Sequence, residues 1–168
     1  MCNTTSKDLK FMNEAFKCAE QNASRGFQEG GPFGAVIVLN DRIVGSGRNQ
    51  VLANHDPTAH AEVQAIRDAC KNLRSHDLTG CVLYTSCYPC PMCLSAIMWS
   101  NITKVFYGNT KEDADDIGFR DDAFYSVLNN VLSGKAELNK GLLELSQLGR
   151  ELTISTFVKF KEQDGQKY

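Results

Sequence analysis

The 168-residue sequence contains no low-complexity tract and no internal repeat, so neither a disordered chain of biased composition nor a repeat array is expected. Long hydrophobic runs are missing too. The strongest, around Phe33 to Leu39, falls far short of the ~20 apolar residues that a membrane helix needs. The opening Met-Cys-Asn-Thr-Thr-Ser-Lys-Asp lacks the basic stretch and apolar core of a secretory signal. These absences predict a soluble, cytoplasmic protein with no membrane partner. An excess of positive charge is also absent. A net charge of −2 and a pI near 5.9 count against extended binding to phosphate backbones, so no nucleic-acid partner is expected. Seven cysteines cannot all pair, which argues against a disulfide framework.

What is present fits one ordinary domain, with 42% hydrophobic and 23% charged residues. Leu9, Met12, Phe16 and Ala19 recur at helical spacing and predict a helix over Lys7 to Ser24. Gly30-Gly31-Pro32 marks a loop, and Phe33 to Leu39 reads as a buried strand. Asn40-Asp41 supplies a turn, so Arg42 to Gly47 returns as the second strand of a hairpin. Val63, Ile66, Ala69 and Leu73 predict a helix from Ala59 onward, with Asp56 or Thr58 as its cap. Cys81 to Ser86 is a third strand and Ile102 to Tyr107 a fourth, with a helix from Pro91 to about Trp99 between them. Asp113 to Asp122 reads as an acidic loop. Leu152 to Val158 fits a strand or a helical face equally well. The order of elements predicts an α/β sandwich with a central sheet.

Two short motifs carry chemistry: His60-Ala61-Glu62 and Pro89-Cys90-Pro91-Met92-Cys93. Alone, a Cys-x-x-Cys can be redox-active, part of a structural zinc site or incidental, and a histidine at a helix start is usually a satisfied polar residue. Together they match a known pattern, His-x-Glu followed by Pro-Cys-x-x-Cys, that marks zinc nucleobase deaminases. Catalytic zinc takes three protein ligands and keeps one position open for water; His60, Cys90 and Cys93 supply that count. Three residues apart, Cys90 and Cys93 fall on one side of a helical turn whose positive end favours thiolates. Cys87 is near, but no clear fourth ligand is visible. Glu62, two residues past His60, is placed to move protons without ligating the metal. Cys2, Cys18, Cys70 and Cys81 have no such company, and the last three are expected to pack as small hydrophobes.

The chain resembles the cytidine and nucleobase deaminase superfamily, and within it the bacterial-type guanine deaminases. The resemblance runs through residues 30–38, 54–63, 83–87, 89–93 and 118–122, ends on Tyr168, and is poorest from about 126 to 160. It implies a cytidine deaminase-like fold, a three-layer α/β/α sandwich with a central mixed sheet of about five strands. It also implies one Zn2+ per subunit and hydrolytic deamination of guanine to xanthine, with guanosine, tRNA adenosine and cytosine-type substrates as alternatives. By the same resemblance Asn49 contacts the purine, Phe33 stacks on it, and Asp121 carries protons beside Glu62 with a carboxyl raised by burial. Trp99 and Tyr168 close the pocket in a homodimer. One domain then spans 1–168, with the segment from about 126 to 168 swapped between subunits. Tyr88 stands where the superfamily usually has glutamate, and Arg120 where guanine-type relatives often carry an acid. A reading from another class, a zinc-stabilised binding module, would leave Glu62 dispensable.

Overall fold

A computed structural model describes residues 5–119 and 121–133, with Arg150, Ile154 and Phe157. The chain divides into two compact units, Met1–Tyr125 and Ser126–Tyr168. Leu152 to Val158, apart from Ile154 and Phe157, lies outside the described residues, as do Cys2, Arg120 and Tyr168.

Helix α1 (Ser6–Ala23) starts at a capping box: the Thr5 hydroxyl accepts from the Asp8 amide and the Asp8 carboxylate accepts from the Thr5 amide. Its inward stripe is Phe11, Ala15, Ala19 and Asn22. Strands β1 (Gly34–Leu39) and β2 (Arg42–Arg48) form the expected antiparallel hairpin. Asn40 and Asp41 both take positive φ, as a two-residue primed turn requires. β3 (Val82–Cys87) pairs antiparallel with β1, and β4 (Lys104–Asn109) pairs parallel with β3 across helix α4 (Pro91–Trp99). The sheet order is β2-β1-β3-β4, so four strands are found among the described residues where about five were expected.

β1 is buried on both faces, which explains its unbroken apolar run. Its even-numbered side chains, Val36 and Val38, pack with Phe11, Ala15 and Tyr84 under α1. Ala35 and Ile37 pack on the opposite face with Ala61, Ala65 and Ala69 of helix α3 (Ala61–Leu73). Three layers result, as expected. Gly45 and Gly47 of β2 set how close α3 comes: a Cβ on Gly47 would lie 2.2 Å from the Ala61 carbonyl oxygen, and one on Gly45 2.5 Å from that of Ala65. The first turn of α3 is therefore pressed onto the sheet.

Two local expectations are corrected. Asp56 and Thr58 do not cap α3; the Asp56 carboxylate instead accepts from the Thr58 amide and hydroxyl, closing a turn ahead of it, and His60 is the cap residue. Between β2 and that turn lies a one-turn helix, α2 (Val51–Asn54). The acidic segment is not a loop: α5 (Lys111–Asp116) occupies it, and α6 (Asp121–Leu132) begins at its end. The reason was legible, since Thr110 and Asp113 form a second capping box.

Acid sensitivity follows from the first capping box. Bonds donated by the Thr5 hydroxyl, the Thr5 amide and Tyr84 hold the Asp8 carboxyl down to about 2, against 3.8 ordinarily. The folded chain thus binds that proton less tightly than the unfolded chain. Its contribution is intact above about pH 4 and is lost as pH falls through about 2. Unfolding temperature followed by circular dichroism should decline over that window, and Asp8→Asn should flatten the decline. An equally steep decline in the variant would remove Asp8 as its source.

Candidate active site

Two helix starts converge on one point. His60 is the N-cap of α3 and Cys90 the N-cap of α4, both with extended backbone and neither making a side-chain capping bond. Cap side chains ordinarily satisfy the free amides of the first turn. Here they turn toward each other instead. Pro91 at the first position of α4 removes an amide that would otherwise lack a partner. Cys93, one turn on, is fully buried and completes the group.

The ligand atoms of His60, Cys90 and Cys93 all lie within 4.8 Å of one another. His60 presents Nδ1, 3.5 Å from Cys90 Sγ and 3.6 Å from Cys93 Sγ. A tetrahedral zinc about 2.3 Å from sulfur and about 2.0–2.1 Å from nitrogen would separate those donors by roughly 3.6 Å. The residues therefore fit zinc in number, donor type and spacing. Cys87 does not join them, because its sulfur is turned to the Thr110 carbonyl oxygen at 3.4 Å. Burial pushes the Cys87 thiol up to about 11. Cys81 is buried, while Cys18 and Cys70 are half-buried.

Charge within the group is arranged for a metal. A bond from Cys93, with His60 beside it, draws the Cys90 thiol down toward thiolate, whereas Cys93 is held up by its bond with Cys90. His60 is raised chiefly by its hydrogen bond with Cys90. A bound cation would take over the stabilisation of both sulfurs and displace their proton.

Glu62 is 6% exposed in the first turn of α3, where the helix end favours a carboxylate. Burial nevertheless raises its carboxyl above the usual range. Its two oxygens are differentiated. Oε1 accepts from the Thr85 hydroxyl at 2.9 Å, and Oε2 lies 3.4 Å from Cys93 Sγ, on the side of the donor cluster. Thr85 is 1% exposed and projects from β3. Sequence reasoning missed it; a buried threonine in a strand carries no local signal of which carboxylate it will meet.

Asn49 is 3% exposed just past the end of β2, and its backbone N–H donates to the Phe33 carbonyl at 3.0 Å. Phe33 is half-buried and edge-on to Phe119, with ring centroids 4.8 Å apart. Asp121 opens α6 and is half-buried, close enough to His60 and Cys87 to bias both toward protonation. One turn along, the Tyr125 hydroxyl donates to the Pro89 carbonyl at 2.5 Å, tying the start of α6 to the loop that carries Cys90. Tyr88 packs its ring against Tyr107 and Tyr125. Trp99 is 70% exposed at the end of α4, and Tyr168 and Arg120 lie outside the described residues.

Comparisons with known proteins agree with this geometry. Residues 5–109 match the family described as the cytidine and deoxycytidylate deaminase zinc-binding region. The guanine deaminase of Bacillus subtilis is 48% identical over 119 residues, covering 71% of this chain and 75% of the relative. The X-ray structure of that species' guanine deaminase superposes with a TM-score of 0.84 at 37% identity, covering 98% of this chain and 99% of the other. A tRNA-specific adenosine deaminase of Buchnera aphidicola is 32% identical over 134 residues, covering 80% of this chain and 87% of its own.

Proposed function

The chain belongs to the cytidine and deoxycytidylate deaminase zinc-binding family, and from that premise we propose that it hydrolyses guanine to xanthine and ammonia. The observation that carries the chemistry is Glu62, a buried carboxylate whose second oxygen meets Cys93, one of three donors spaced for zinc. Full-length likeness to a guanine deaminase supports guanine as the base.

In this reading His60, Cys90 and Cys93 hold zinc. Zinc, when bound, supplies the Lewis acidity that makes water nucleophilic near neutral pH. Glu62 does the proton work. With Oε1 held by Thr85, Oε2 takes one proton from the attacking water and gives it to the ring nitrogen, then takes the second from the hydroxyl now on the ring and gives it to the departing amine. Its raised carboxyl suits both directions of transfer. Asp121 supplies a second carboxyl that relays the second of these protons toward the departing amine. Phe33 stacks on the base and Asn49 reads its edge.

The reading extends to assembly. A homodimer in which the segment from about 126 to 168 is exchanged brings Tyr168 over the partner's pocket, with Trp99 closing the same side. Met98 and Trp99, 68% and 70% exposed on the apolar helix α4, offer a surface for that contact. Light scattering should return the mass of two chains; one chain would remove the swap. No helix among the described residues is long and apolar enough to cross a membrane. A cytoplasmic location suits thiolate ligands that must stay reduced.

Ammonia release from zinc-loaded protein tests the reaction, with guanine, guanosine, adenine, cytosine and a tRNA substrate offered in parallel. Guanine alone should react, and Glu62→Ala should abolish the signal. Turnover of guanosine would keep the mechanism and replace the base; turnover of tRNA adenosine would replace the substrate class.

A further inference from the structure

Asn22 is a polar residue in a core position. It continues the inward stripe of α1 after Phe11, Ala15 and Ala19, and it is fully buried. An amide there is tolerable only when its bonds are made inside the protein. They are. Its Nδ2 donates to the Gly31 carbonyl at 2.8 Å and to the Asn49 carbonyl at 2.7 Å, and its Oδ1 accepts from Arg48 at 2.8 Å. Arg48 is itself paired with Glu29, whose carboxyl is held down by Arg25 and Arg48. One side chain thus bridges the Gly30-Gly31 loop to the end of β2.

The consequence falls on Asn49. Its Oδ1 accepts from the Gly31 amide at 3.3 Å and the Val51 amide at 3.2 Å. The loop is pressed so close that a Cβ on Gly30 would sit 2.3 Å from that oxygen. With the side-chain carbonyl engaged by backbone, the Asn49 NH2 is the end left to meet a ligand. The two carbonyls that Asn22 holds belong to Asn49 itself and to Gly31, whose amide fixes the Asn49 amide plane.

We propose that Asn22 is a positioning residue for the purine site, holding Asn49 so that a hydrogen-bond donor is presented to the base. The inference rests on the guanine reading of the site. Removing Asn22 loosens Asn49 without touching the zinc ligands or Glu62, so it weakens binding more than chemistry. Its effect is also carried wholly by Asn49.

The test uses Asn22→Asp, which keeps the volume but sets a carboxylate against two carbonyl oxygens, and Asn22→Ser should the first not fold. Wild-type turnover of guanine is measured first and decides the reading of the reaction by itself. In the variant, KM for guanine should rise about tenfold with kcat within about twofold and zinc still bound. In an Asn49→Ala background the same substitution should add less than about twofold, because the two act as one unit. Hydrogen exchange reads positioning without substrate: the Gly31 and Val51 amides should lose protection while those of Leu83 and Thr85 keep theirs. Unchanged protection at Gly31 and Val51 overturns the proposal, as does an unchanged KM, or a KM effect undiminished in the Asn49→Ala background. Protection lost equally across β3 reduces Asn22 to a fold-stabilising residue and likewise overturns it.

Discussion

Glu62→Gln is expected to lower kcat about a thousandfold or more while zinc remains bound. General acid–base catalysis by one positioned side chain contributes on the order of 10²–10⁴ in rate, and Glu62 is asked to act on both the water and the ring. Glutamine keeps the shape and the bond with Thr85 but cannot carry a proton. The substitution should leave the fold intact. A carboxylate that burial already disfavours contributes little stability as an ion, so its neutral isostere should unfold at the same temperature or slightly higher. Steady-state kinetics with zinc quantified on the same sample checks the point. A variant that retains full zinc and more than about a tenth of the rate would move the proton work elsewhere, with Asp121 next in line. Retention of the whole rate would leave no role for Glu62 in the reaction and would reopen the binding-module reading.

The loss of a ligand should be larger still. Cys93 is fully buried with its sulfur 3.6 Å from His60 Nδ1, so Cys93→Ala is expected to abolish stoichiometric zinc and bring turnover to background. Stability should follow the metal. Free zinc a thousandfold above its dissociation constant stabilises the folded state by about 4 kcal/mol, on the order of 10 °C for a chain of this size. A chelator should therefore lower the unfolding temperature of the wild type and leave Cys93→Ala unmoved. Metal analysis combined with thermal unfolding separates the outcomes. Zinc retained at one per chain in the variant would mean that another group ligates, and Cys87 would be the first to examine. Turnover that survives exhaustive chelation of the wild type would contradict a zinc-dependent reaction.

Much of the site was legible because its parts are local. The His-x-Glu spacing places a ligand and a carboxylate within one helical turn, and Cys-Pro-x-Cys places two sulfurs within another. Such geometry follows from the helix itself, so short motifs report it faithfully. The hairpin was equally plain: Asn40-Asp41 between apolar runs leaves few alternatives, and both residues take the positive φ that the turn demands. At Thr110 to Asp116 the acidic composition suggests a loop, but the Thr110–Asp113 capping box outweighs it and starts a helix. Asn22 offered a similar clue, a polar residue continuing an apolar stripe, which marks a buried network more often than an error of pattern.

By itself, then, the sequence determined the α/β class, the zinc donors and the carboxylate beside them, since each is written within a few consecutive residues. Only the tertiary structure decided what meets across the chain. The two unused helix caps face one another, Thr85 takes one oxygen of Glu62, Cys87 is turned away to Thr110, and Asn22 grips Asn49 across 27 positions. Those pairings depend on strand order and on how deeply α3 sits against Gly45 and Gly47. Backbone periodicity fixes which way a side chain faces, but its partner is chosen by packing between elements far apart in sequence.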